Sequence, residues 1–384
     1  MSWKNVELGN LCDVLDSQRK PITKRDRTVG EYPYYGATGI VDYVENYIFD
    51  EKLVLIGEDG AKWESGEKTA FIANGKYWVN NHAHVIRPKR ELLLDEWLVY
   101  YFYYKDLKEF VTGLTVPKLN QGQLRIIPIP LPPLNTQKKL VAKLDAIFAE
   151  IDKATAAAEA NANNAEALCQ SYLTKIFEYD SEGWKDAALG NLYKVASSKR
   201  VLKSDWKSEG VPFYRGREIT SLSKFGFVEN DLFITEEMYA EYSRTYGVPL
   251  ADDIMITAIG TIGNTYIVKE GDKFYFKDAS VLWLKKEADI DSKFVNYWFK
   301  SRHFFSQLDV GLGATVDTLT IGKVQGLQIK IPTVSTQKDV VAKLDSVSSE
   351  IAKSIKSYTD KVNELGKLKD SILRQAFSGE LVKE

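Results

Sequence analysis

Two cysteines and three histidines are all that this chain of 384 residues holds. Cys12 and Cys169 are far apart in sequence and form no motif. A disulfide framework is thereby excluded, and the usage fits a reducing cytoplasm. His82 and His84 could share one face of a strand as two metal ligands would, but no cysteine or further histidine lies nearby, so they read as structural and no metal is expected. No uninterrupted apolar stretch reaches the length of a bilayer, and MSWKNVELGN lacks the charged-then-apolar pattern of a signal segment. Chemical motifs are missing too. There is no phosphate-cradling Gly-Lys-Ser/Thr loop, no Asn-Pro-Pro-Tyr or Asp-Pro-Pro-Tyr methyltransferase motif and no paired-acid core followed by lysine. Gly260-Thr-Ile-Gly263 is too short for a nucleotide fingerprint. Glu58 and Asp59 could mimic a catalytic acid pair, yet the matching turn of the second half has no acids. No catalytic residue is expected.

A strong charge of one sign is also lacking. The net charge is −2, with 44% apolar and 27% charged residues, as in an ordinary globular protein. A chain that wraps nucleic acid unaided is basic, so any such affinity must come from local patches or from a partner. From Trp184 to Phe225 there are nine Lys/Arg against four acids, and the first thirty residues hold six against four.

What is present is repetition. Residues 131–153, LPPLNTQKKLVAKLDAIFAEIDK, return as 331–353, IPTVSTQKDVVAKLDSVSSEIAK. Trp3-Lys4 and Leu8-Gly9-Asn10-Leu11 return as Trp184-Lys185 and Leu189-Gly190-Asn191-Leu192. A period this long is no solenoid; it marks duplication of a whole domain plus a helix. The order is domain (1–133), helical region (134–180), domain (181–333), helical region (334–384).

Both helical regions follow a stop signal, the proline-rich Ile127 to Pro133 in the first copy, with Asn135 and Ser335 as candidate N-caps. Apolar residues then recur at spacings of four and three. Leu140, Leu144, Ile147, Ile151 and Leu168 form the expected seam of the first helix; Val340, Leu344, Val347, Ile351, Leu365 and Leu368 form that of the second. A 3.5 repeat sustained over about five heptads predicts a coiled coil rather than a helix merely packed on a core. The first helix leaves domain one and the second leaves domain two, so paired seams must run antiparallel. Each helix of roughly 45 residues measures about 65 Å. The second copy ends where its continuation would be Trp3, which predicts a pseudo-cyclic, pseudo-two-fold chain with adjacent termini.

Each domain reads as mixed β and α, giving an α+β protein of two similar domains on two long antiparallel helices. Leu53–Ile56 and Asp253–Ile256 are strands entering glycine-containing turns. Asp95–Phe110 and Ser292–Leu308 are amphipathic helical segments. Gly113–Asn120 matches Gly313–Thr320, and the second domain is about twenty residues longer in its front half.

The ordered set resembles the specificity (S) subunit of Type I restriction-modification systems over the whole chain. It is carried by Ile129-Pro130-Leu131-Pro132-Pro133, Thr136-Gln137 and Thr336-Gln337, and Val-Ala-Lys-Leu-Asp in both copies. Tyr32 to Gly39, Leu55 to Gly60, Asn80 to Val85 and Ala376 to Leu381 add to it. Both copies carry Thr where the family has Glu before the glutamine, read as a drifted cap. The resemblance implies two target recognition domains, each reading half of a split DNA sequence. It also implies a coiled coil that sets the unread gap, two docked modification (M) subunits supplying S-adenosylmethionine and adenine methylation, and restriction (R) subunits in a larger complex. The chain itself would catalyse nothing and bind no cofactor.

Base edges are read best by Arg, Lys, Asn and Gln, and phosphate contacts position the protein. Candidates in the first domain are Arg19, Lys20, Lys24, Arg25 and Lys62; in the second they are Lys199, Arg200, Lys203, Arg215, Arg217 and Arg244. Tyr34, Tyr35 and Tyr214 sit in strand-like contexts that favour the core. Two alternatives stay open: the recognition subunit of a related system with a fused methyltransferase-nuclease partner, and a coiled-coil scaffold that binds only proteins.

Overall fold

The structure, a computed structural model, describes residues 3–113, 115–178, 183–308 and 318–382. Of the repeated stretch 313–320, residues 313–317 lie outside this set. Two compact units are formed, Met1–Glu159 with Thr359–Glu384, and Ala160–Tyr358. Each unit thus owns one globular domain and a part of each long helix.

The domains share a plan. In the first unit, an antiparallel sheet runs in the order Cys12–Val14, Ala83–Pro88, Leu53–Gly57, Ala70–Ala73. A second sheet runs Gly39–Val44, Val29–Gly36, Lys76–Val79, Phe49–Asp50, its middle pair parallel. Asn5–Glu7 pairs with Pro128–Pro130 to close the domain. The second unit repeats this with Tyr193–Ala196, Val281–Lys286, Ile254–Thr257 and Thr265–Ile267, then with Phe233–Ile234, Val211–Tyr214 and Tyr275–Phe276. Lys185–Ala188 pairs with Gln328–Ile331. Leu53–Gly57 and Ile254–Thr257 are buried along their whole length, as central strands covered on both faces must be. The added length of the second domain forms two helices without a counterpart among the described residues of the first, Gly216–Phe225 and Glu236–Tyr246. Gly226 caps the former at φ 75°, a left-handed position that glycine fills without strain.

The long helices are Leu134–Glu178 and Val334–Ser378, 45 residues each. They start one residue before the expected caps, so Asn135 and Ser335 lie inside the first turn. Thr333 instead caps the second helix, its Oγ1 accepting from Thr336 N at 3.4 Å. The buried glutamine of the repeated motif does more. Gln137 accepts from Leu94 N (2.9 Å) and donates to Pro132 O (2.9 Å). Gln337 accepts from Asp291 N (2.8 Å) and donates to Pro332 O (2.9 Å). The motif aspartate repeats the logic: Tyr100 donates to Asp145 and Tyr297 to Asp345, each at 2.6 Å. Thr-Gln-Lys and Val-Ala-Lys-Leu-Asp are therefore the weld between helix and domain.

Within each unit the helices run antiparallel. In the first, Lys369 pairs with Asp152, and Lys143 Nζ donates to Leu381 O at 3.4 Å. In the second, Glu166, Cys169 and Gln170 line a groove with Ile351, Ala352 and Ile355, and Leu173 and Phe177 share a cluster with Val341 and Leu344. Leu140, Leu144 and Ile151 are buried, with Ile147 and Leu365 packed beside them. Leu344 is buried, Val340 lies against its cluster, and Val347 and Ile351 are half-buried. Leu168 and Leu368 depart from the expected seam, being 61% and 46% exposed. Positions 169 and 369 turn inward in their place. A helix of 3.6 residues per turn drifts by about 20° per heptad against a 3.5 repeat, and the drift has moved the inner face on by one residue.

The helix ends also enter the domain cores. Phe377 packs among Trp97 (4.4 Å between centroids), Tyr101 and Tyr104, and its repeat mate Phe177 meets Phe294 at 5.3 Å. Trp3 Nε1 donates to Ala376 O at 3.0 Å, which puts the start of the chain on the last helix, as the pseudo-cyclic reading expects. Among the described residues, no helix is long and apolar enough to cross a membrane.

Candidate nucleic-acid interface

At one end of the first domain, four loops meet around a buried polar network. His84, on strand Ala83–Pro88, is wholly buried and hydrogen-bonds Asp16 through Nδ1 and Leu119 O through Nε2, both at 2.6 Å. Arg19, only 12% exposed, reaches Glu58 at 2.5 Å and Asp16 at 3.5 Å, and donates to Ala83 O at 2.7 Å. Lys118 closes the ring on Glu58 at 2.9 Å. Burial alone would raise the Asp16 carboxyl, but the His84 hydrogen bond and the Arg19 charge hold it below its ordinary value. Glu58 behaves alike: burial opposes ionisation, and hydrogen bonds from Lys118 and Arg19 outweigh it. Asp16, Glu58 and His84 bring ligand atoms within 4.8 Å of one another. Arg19 and Lys118 already neutralise that cluster, so its chemistry is that of an ion-pair network.

Among the first-domain candidates, Arg19 is engaged in holding the loops together through Asp16, Glu58 and the Ala83 carbonyl. Lys20, Lys24, Arg25 and Lys62 do lie exposed on the same loops, Arg25 beside Asp26 (3.3 Å) and Lys62 beside Glu67 (3.3 Å). Tyr34 is buried, its hydroxyl accepting from Ile22 N at 2.9 Å. His82, missed as a surface group, is 51% exposed and bonded to Asp59.

In the second domain the same ladder positions carry uncharged groups. Ile256 pairs with Leu282 where Ile56 pairs with His84. Strand register likewise matches Ser197 to Asp16 and Ala258 to Glu58. Its cations gather elsewhere. Arg200 and Lys203 line a cleft of about 340 Å³ with Trp206, Ile259 and Lys277. Lys199 stands exposed with its ammonium 5.7 Å from the Tyr246 ring centre. Arg215 and Arg217 both pair with Glu218 (2.7 and 2.5 Å) and with Asp231, at the start of the added helix. Tyr214 stacks on Phe274 at 4.7 Å. Arg244 is exposed on the other added helix and does not line the cleft. Lys277 was missed because it lies outside the basic run, and only the fold brings it to Arg200.

The chain thus holds two domains of one plan, each presenting cations from loops at one end of its sheets. Known proteins share this two-domain fold. The family model described as "Type I restriction modification DNA specificity domain" matches twice, over residues 1–161 and 181–358. A proposed type I restriction enzyme specificity subunit of Haemophilus influenzae is 32% identical over 351 residues, 90% of this chain and 87% of that one. The MjaVIII specificity subunit of Methanocaldococcus jannaschii is 22% identical over 394 residues, 94% of this chain and 89% of its own. Among solved structures, a chain from a study of assembly and conformational transition of the type I R-M system superposes with a TM-score of 0.75 at 19% identity, covering 98% of both chains. The HsdS subunit from Thermoanaerobacter tengcongensis gives 0.54 at 18% identity, covering 98% of this chain and 97% of its own. With two copies of the family domain and a relative 32% identical over nine-tenths of this chain, this chain belongs to the type I restriction-modification specificity subunits, the non-catalytic, DNA-recognising members of those systems.

Proposed function

We propose that each domain reads one half of a split DNA target and that the helical regions set the unread gap between the halves. The observation that supports this reading is one backbone plan used twice with different loop chemistry. A single scaffold duplicated in this way serves two unlike half-sites, as spaced modules serve spaced sites on DNA. The near-neutral charge fits a subunit whose partners supply much of the phosphate clamp. In this proposal two modification subunits dock and bring S-adenosylmethionine and the flipped-base pocket that adenine methylation requires. Restriction subunits join in a larger complex, and the chain works in the cytoplasm where the DNA is.

Exposed cations flanking the second domain's cleft act on phosphate. Removing Arg200 and Lys203 together, as Arg200→Ala with Lys203→Ala, is expected to weaken binding of the assembled complex to every DNA sequence alike. The slope of log affinity against log salt should flatten by about two, close to one per lost phosphate contact. Titration of the wild-type and doubly substituted complexes across a salt series checks this. An unchanged slope would contradict the placement of this cleft on DNA.

A further inference from the structure

Matching the two domains strand by strand brings out an exposed crossing where the backbones agree and the side chains do not. Three segments cross there. In the first domain Glu58 N donates to His82 O at 2.9 Å, Leu119 N donates to Glu58 O at 2.8 Å, and Asp59 bridges to Lys118. In the second, Ala258 N donates to Ser280 O at 2.9 Å, Leu319 N donates to Ala258 O at 2.8 Å, and Ile259 bridges to Thr318. The same frame therefore displays Asp59, His82 and Lys118 in one domain and Ile259, Ser280 and Thr318 in the other. Main-chain hydrogen bonds fix the frame, so the side chains are free to differ without disturbing it.

Their chemistry is that of readers. Asp59 can only accept, so His82 donates to it from Nδ1, and Nε2 has no partner among the described residues. Ile259 is 44% exposed in the cleft with Arg200, Lys203 and Lys277, against Asp278 as the one acid of its lining. An exposed isoleucine alone says nothing. This one stands where the sister domain places a hydrogen-bonding pair, and cations that suit phosphates flank it. In a major groove the apolar feature is the thymine methyl, and ring nitrogens pair with base-edge donors and acceptors.

We infer that this crossing is the position at which each domain reads a base pair of its half-site, through hydrogen bonding at His82 Nε2 in the first domain and through apolar contact of Ile259 in the second. The inference rests on the split-target reading above.

The test uses the full chain co-expressed with its cognate modification subunit, with sequencing of methylated positions in cellular DNA. Ile259→Ser is expected to relax discrimination at one base pair of one half-site by about tenfold to a hundredfold, leaving the other half unchanged. Ile259→Val, which keeps the apolar surface, should retain the wild-type preference. His82→Ala should relax one base pair of the opposite half by a similar factor. Wild-type preference at every position in Ile259→Ser and His82→Ala would overturn the inference. So would uniformly weaker methylation with no position relaxed, which marks a phosphate or packing contact. A wild-type chain that yields no split motif would instead overturn the split-target reading itself.

Discussion

Glu58→Ala is expected to cost the first domain about 3 kcal/mol, because breaking a buried pair strands the remaining charge in a low-dielectric site. Arg19 loses its 2.5 Å partner and Lys118 its 2.9 Å one, while Arg19 keeps Asp16 at 3.5 Å and the Ala83 carbonyl at 2.7 Å. Those surviving contacts place the cost at the low end of the usual range for buried pairs. Against a domain stability of about 5–15 kcal/mol, the loss is large. The second domain has Ala258 at this position and, among the described residues, no such network, so its stability should hold. Hydrogen exchange of the full chain separates the two, with opening expected to rise roughly a hundredfold in first-domain strands alone. Acid provides an internal control. Glu58 is held below its ordinary pKa in the fold, so its contribution is complete above the unfolded value of about 4.3 and fades as pH falls through the folded value. The gap between variant and wild type should therefore narrow in acid. A gap that is constant with pH, or opening that rises equally in both domains, would contradict the assignment.

Inserting one heptad into each long helix, after Glu159 and after Tyr358, is expected to move the methylated motif wholesale. Seven added residues lengthen each helix by about 10 Å. They return its face to within about 20° of phase, so the seams on either side stay paired. DNA rises about 3.4 Å per base pair, which makes that length worth at most about three base pairs. Each added base pair also turns the target by roughly a tenth of a helical turn, so a gain of about one to three is expected. The original sites should lose methylation, and both half-site sequences should be preserved at the new spacing. Matching insertions are required, since a single one would shift Lys369 from Asp152 and break the antiparallel register. An unchanged gap would contradict the helical spacer.

Much of this protein was legible before its structure. The offset of 200 residues carried the domain order, the helix pair and the family resemblance, because duplicated packing constraints repeat the residues that satisfy them. Periodicity gave both helices and most of their inner face, failing at Leu168 and Leu368. Leu168 and Leu368 look like seam residues in a heptad count, and only accumulated drift exposes them. The caps were displaced because proline-rich stops permit several starts, and the anchoring glutamines bond to backbone groups of Leu94 and Asp291, over forty residues away. Candidate site residues were harder. Arg19 reads as a free cation until Glu58, 39 positions on, is found beside it. Ile259 reads as core in any apolar pattern, and its exposure is set by the loop crossing. Side-chain charge is local to sequence, whereas neutralisation and exposure are properties of the fold.

The central claim is that the chain directs methylation to a two-part sequence. Sequencing methylated bases in cells that express it with its modification subunit, against cells with that subunit alone, tests this most directly. The account predicts a split motif with methyladenine in both halves, present only with this chain. A complex that assembles yet leaves no chain-dependent motif would contradict it, and so would a single unbroken motif.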